Sequence, residues 1–133
     1  MIKTIILTIV MLFITSTALA FTDICKVGAK ALRMTSAQTS ALYNDEIKGR
    51  RVEGSGSVYD VVAGKNNCTV VVSCGNNVFV NIYIKDCWGS VKYLKVGQKI
   101  SFTADCTDLR KKYYRDSNKI YVEAMANNAS LNY

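Results

Sequence analysis

The chain of 133 residues is 50% hydrophobic, carries 17 Lys+Arg against 10 Asp+Glu for a formal charge of +7, and contains no histidine. That length fits one small domain, and 20% charged residues set among aliphatic runs exclude a disordered or collagen-like chain. The lack of histidine removes His-containing triads, His-assisted base catalysis and His-ligated metal sites, so the composition favours an exported binding module.

Residues 1–20 have the layout of a secretory signal peptide: Lys3, an apolar run from Ile5 to Ile14 broken only by Thr8, and a small-x-small site at Ala18-Leu19-Ala20. The run is shorter than the ~20 apolar residues that span a bilayer and ends in Thr15-Ser16-Thr17, which argues against a retained anchor. Cleavage leaves 113 residues starting at Phe21, with charge +6 and no further membrane-spanning segment. The expected address is the periplasm or the exterior.

Residues 22–43 carry Ile24, Val27, Ala31, Met34, Ala41 and Leu42 near helical spacing and are expected to form a helix. Thr22 or Asp23 is its expected cap, and Gly28 or Thr35-Ser36 is where it would split. The N-terminal helical segment thus covers 21–47, and a barrel domain covers 48–133. From Val52 the period becomes two. A first strand, 52–62, contains Gly54 and Gly56, signs of bending or close backbone approach. The turn 63–67 leads to a strand at 68–74, and Gly75-Asn76-Asn77 turns into a strand at 78–85 with Val78, Val80, Ile82 and Ile84 inward. Residues 86–94, with the only tryptophan, Trp88, are a connection with room for a short helix. The fourth strand, 99–106, points Ile100, Phe102, Ala104 and Cys106 inward. A polar loop is expected over 107–118, then a strand at 120–126 with Ile120, Val122, Ala124 and Ala126 inward, and a frayed tail from Asn127.

All five cysteines, Cys25, Cys68, Cys74, Cys87 and Cys106, follow the signal sequence, where oxidising conditions favour disulfides. No C-x-x-C spacing points to zinc or thioredoxin-type chemistry. Cys68 and Cys74 stand roughly 20 Å apart along one strand and cannot pair with each other. The remaining pairings stay open, and the odd cysteine is expected to be a buried free thiol.

Five short strands, the first bent at glycine and the widest gap between the third and fourth, outline a mainly β, five-stranded OB-fold barrel preceded by an N-terminal helix, with a small sandwich as the competing architecture. Gly49-Arg50-Arg51-Val52, Gly56-Ser57-Val58-Tyr59-Asp60-Val61, Leu94-Lys95-Val96-Gly97-Gln98-Lys99-Ile100 and Lys119-Ile120-Tyr121-Val122 stand in the order found in tRNA-anticodon-binding-like OB-fold proteins, which they resemble over about residues 44–126. The resemblance, to the exported bacterial type, implies a helix-preceded barrel without catalytic residues.

OB-folds bind on the face of strands two and three and at the loops joining strands one to two and four to five. That places Thr69, Val71, Ser73, Phe79, Asn81 and Tyr83 on the candidate face, Lys65, Asn66 and Asn67 in the first loop, and Arg110, Lys111, Lys112, Tyr113, Tyr114 and Arg115 in the second. Four cations around two rings suit a polyanion, since cations neutralise phosphates and rings stack on bases or sugars. A solvated loop is the commoner role of such a run, and Asp108 and Asp116 partly cancel its charge. For Phe79 and Tyr83, burial beneath the N-terminal helix competes with ligand contact and is preferred. No nucleophile motif accompanies Asp105 and Asp108 or Asp45 and Glu46, and Gly54-Ser55-Gly56 lacks nucleotide-loop spacing. The expectation is therefore a non-enzymatic protein without metal or cofactor. It would bind a nucleic acid or other polyanion, or a protein partner, through a basic, tyrosine-bearing rim. The alternative is a secreted interaction subunit or inhibitor that docks on an envelope protein or host glycan.

Overall fold

The structure is a computed structural model that describes residues 21–115 and 118–133. The signal sequence read at 1–20, and Asp116, lie outside the described residues.

The helical segment divides where its sequence is weakest. Asp23 caps the first helix, α1 (Ile24–Ala31), its carboxylate accepting from the amides of Cys25 and Lys26. The second, α2 (Ser36–Leu42), starts at a reciprocal capping box in which Thr35 Oγ1 accepts from the Gln38 amide and Gln38 Oε1 from the Thr35 amide. This box offers the backbone a new helix start, so the helix expected over 22–43 splits at Thr35-Ser36, one of its two weak points in sequence. A π-helical turn, Tyr43–Ile47, follows and buries Ile47.

Five strands close a barrel: β1 (Arg51–Ala63), β2 (Asn67–Gly75), β3 (Val78–Lys85), β4 (Lys99–Tyr113) and β5 (Ile120–Asn132). Around the barrel the order is β1-β2-β3-β5-β4 and back to β1, with β3 and β5 parallel and every other barrel pair antiparallel. This is the topology of the OB-fold. One strand serves two neighbours: β1 pairs with β4 over Arg51–Ser57 and with β2 over Ser57–Ala63. Its glycines permit that bend. A Cβ on Gly54 would strike the Phe102 ring, and one on Gly56 would overlap the backbone carbonyl of Ser73.

The period-two reading places the interior correctly, with Val52, Val70, Val72, Val80, Ile82, Ile100, Phe102, Val122 and Ala124 buried together. Two strands run further than the sequence pattern predicts. The expected loop 107–118 is strand as far as Tyr113, because alternation continues through buried Leu109 and β5 supplies a partner along its length. Likewise the tail expected to fray from Asn127 stays paired, with Leu131 opposite Phe102 and Asn132 opposite Ser101. Residues 86–94 hold a single 3-10 turn, Val91–Tyr93.

Helix α1 covers an end of the barrel rather than a strand face: Ile24 and Ala31 are buried in the core, and Gly28 lies against Val78. Two disulfides complete the frame. Cys25–Cys74 ties α1 to the end of β2, and Cys68–Cys87 ties the start of β2 to the segment after β3. Cys68 and Cys74 indeed take different partners, and Cys106 is the buried free thiol.

Candidate functional site

Because α1 sits at the barrel end, the outer face of β3 stays open. Tyr83 is exposed and Phe79 half-buried, with no helix over either; the preferred burial under the helix does not occur. Phe79 instead packs between a ring from β1, which reaches across β2, and one from adjacent β5. Tyr59 of β1 meets it edge-on at 5.1 Å between centroids, and Tyr121 of β5 at 6.1 Å on the other side. Tyr114, at the start of the β4–β5 loop, lies 4.8 Å from Tyr121. The result is an aromatic ribbon, Tyr59-Phe79-Tyr121-Tyr114, crossing the outside of the barrel. Tyr59 is 59% and Tyr114 42% exposed.

Local structure accounts for each ring. The β1–β2 register slips between Val58 and Asp60, and this bulge sets Tyr59 on the outer face just after buried Val58. Phe79 and Tyr121 take the outward positions beside buried Val78 and Val122, which pair across the parallel β3–β5 ladder. The Tyr114 amide donates to the Lys119 carbonyl at 3.0 Å, closing the loop at its base.

Polar groups line the next row. Asn81 Nδ2 donates to Glu123 Oε1 at 2.7 Å, and Lys112 Nζ lies 3.2 Å from Glu123 Oε2. Arg110 pairs with Asp108. Both ion pairs are open enough to water to be worth at most ~1 kcal/mol, so a ligand anion can compete for either cation. Lys111 differs: it is half-buried, and its Nζ donates to the carbonyls of Leu32 and Met34 just beyond α1. Tyr113 is exposed at the end of β4, and Arg115 is exposed in the loop that follows.

Arg110, Lys112 and Tyr114 are thus brought to the side of Phe79, through Glu123 and Tyr121 of β5, whereas Tyr113, which alternates with Arg110 and Lys112, and Lys65 are not. Lys65 lies in the β1–β2 turn near the Cys68–Ile84 pair, and Phe79 stands at the other end of that hairpin, opposite Ser73. Tyr59 and Tyr121 join this face without being among the sequence-predicted site residues. Tyr121 was legible as an outward position in its strand; the bulge that displays Tyr59 has no comparable signal.

Beneath this region, Cys106 is buried, and loss of water pushes its thiol up to about 11. The Tyr43 hydroxyl donates to the Cys106 carbonyl at 3.4 Å. Its own ionisation is raised, first by burial and then by the neighbouring Cys106 and Asp108. Among the described residues no group of three or more His, Cys, Asp or Glu is placed to hold a metal ion, and no helix is long and apolar enough to cross a membrane.

No family model and no curated protein matches the chain. Solved structures do. OBody AM3L09 bound to hen egg-white lysozyme is 13% identical, with 74% of this chain and 92% of that chain covered and a TM-score of 0.43. OBody NL8, also bound to hen egg-white lysozyme, is 13% identical over 62% of this chain and 93% of that one, with a TM-score of 0.41. Entamoeba histolytica asparaginyl-tRNA synthetase, in complex with asparaginyl-adenylate, is 16% identical over 74% of this chain and 22% of its own, with a TM-score of 0.43.

Proposed function

We propose that this protein is an exported, non-catalytic OB-fold binding module that holds an extended anionic oligomer, of single-stranded nucleic acid type, across its aromatic ribbon. The observation that carries this is the contiguous contact of Tyr59, Phe79, Tyr121 and Tyr114 on an open barrel face, flanked on β4 by Arg110 and Lys112, which pair in register with Glu123 and Tyr121. Rings of this kind accept stacked bases whatever the sequence, and weakly paired surface cations can exchange their carboxylates for phosphates. The overall excess of positive charge, +6 on the chain from Phe21, favours approach of a polyanion. Export rests on the signal-like residues 1–20 and on two disulfides, which persist in oxidising compartments.

A second reading, docking of a protein partner on the same ribbon, is favoured by the internal pairing of Arg110 with Asp108 and of Lys112 with Glu123, which leaves the rim less basic than its sequence. Salt separates the two. The oxidised chain from Phe21 should bind single-stranded DNA or RNA saturably, with affinity falling steeply as salt rises. Absence of binding at low salt refutes the nucleic-acid reading, and salt-insensitive capture of a protein supports the other.

A further inference from the structure

We infer a second ligand site, separate from the ribbon, in the hollow lined by Tyr83 and Trp88, and that it takes a neutral saccharide. The hollow has a volume of about 400 Å³ and is also lined by Lys85, Asn127, Asn128 and Ala129. Tyr83 lies four residues beyond Phe79 on the same strand face, about 13 Å along β3.

The site is built on a fixed frame. Trp88 follows Cys87, whose disulfide reaches fully buried Cys68 inside β2. Positive φ at Asp86 (62°), Cys87 (40°) and Gly89 (63°) folds this segment back sharply. Two residues on, the Ser90 and Tyr133 hydroxyls share a hydrogen bond of 2.7 Å. Another lining residue is held as firmly: Asn128 Nδ2 donates to Asp105 at 3.1 Å, and the Asn128 carbonyl accepts from Arg51 at 2.9 Å. A pre-formed wall spares a ligand the entropy of ordering it.

Its chemistry matches a sugar. Tyr83 and Trp88 are 43% and 44% exposed, two large rings kept at the surface in the lining of one hollow. A pyranose has an apolar C–H face that lies on such rings and a rim of hydroxyls that donate and accept at once. Side-chain amides offer both functions in return, and Asn127 and Asn128 supply two of them. Among the described residues, the Tyr83 hydroxyl, the Trp88 indole N–H and the Asn127 amide hold no hydrogen bond within the protein. Lys85 is the one cation of the lining, too little charge to follow a phosphate backbone. The amides would be costly against a wholly apolar ligand.

Trp88 is the only tryptophan, so its emission reports directly on this hollow. The oxidised chain is titrated with methyl pyranosides of the gluco, galacto, manno and N-acetylglucosamine series, and tested in parallel on a glycan array. At least one sugar should change Trp88 emission saturably and independently of salt. Y83A and N127A should each weaken that sugar about tenfold or more while far-ultraviolet circular dichroism stays that of the parent. The ribbon variant Y59A/Y114A should leave it unchanged, which keeps this site distinct from the proposed polyanion face. No response to any sugar or array glycan would overturn the inference. So would binding that survives both Y83A and N127A, or an emission change produced only by single-stranded DNA.

Discussion

Replacing Lys111 with alanine tests whether this side chain braces the fold or serves a bound polyanion. Its Nζ donates to the Leu32 and Met34 carbonyls from a half-buried position, tying β4 to the exit of α1. A hydrogen bond from a charged group contributes ~1.5–3 kcal/mol, and a cation at a helix C-terminus adds a few tenths. Water can reach the freed carbonyls in part, so K111A should cost about 2–3 kcal/mol in all. For a chain near this size that lowers Tm by about 10 °C. K112A breaks only an open ion pair with Glu123 and should shift Tm by no more than about 4 °C. Thermal unfolding followed by circular dichroism gives both shifts. Oligonucleotide affinity, measured well below the transition, should stay within about twofold for K111A and fall for K112A. A K111A protein as stable as the parent but weaker in binding would refute the assignment.

Gly56 has the Ser73 carbonyl where a Cβ would stand, so G56A should destabilise the barrel by about 3 kcal/mol in urea unfolding. A loss below about 1 kcal/mol would mean that β1 and β2 can separate without cost. Cys106 holds its proton more tightly when folded, with its thiol raised to about 11 by burial. The stability this confers is complete below the thiol's unfolded value and is lost as pH rises from about 9 towards about 11, some 2–3 kcal/mol across that window. C106A should flatten that alkaline decline, and an unchanged slope would contradict the assignment. The disulfides close loops of 49 and 19 residues, so on chain entropy C25S/C74S should lose about 4 kcal/mol and C68S/C87S about 3. Reversal of that order in urea unfolding would point to native-state contacts instead.

Strand interiors were the legible part of this chain, because a two-residue period states which side chains face in. Val78, Val80, Ile82 and Ile84 fell inward as read. The glycine pair in β1 was equally informative, since Gly54 leaves room for the Phe102 ring and Gly56 for close approach of the Ser73 carbonyl. Strand ends were harder: Arg110, Lys111 and Lys112 look like loop in isolation, and only pairing with Glu123, Val122 and Tyr121 on β5 makes them strand. Much of the candidate face depends on the same long-range pairing. Tyr59, Phe79, Tyr121 and Tyr114 come from four separate stretches of sequence, and their contact exists only once β1, β3 and β5 share one surface. Nor does a run of cations reveal which are engaged. Asp108 was in view beside Arg110, while the carbonyl partners of Lys111 lie 77 and 79 residues away.

The ribbon is the centre of this account, and the most direct test of it is the affinity of the Y59A/Y114A double variant for single-stranded oligonucleotides at low salt. Stacking on a ring contributes ~1–3 kcal/mol per base. Loss of both exposed rings should therefore weaken binding at least about tenfold, with the salt slope, set by the remaining cations, largely retained. Affinity equal to the parent's in a variant of parental stability would contradict the claim.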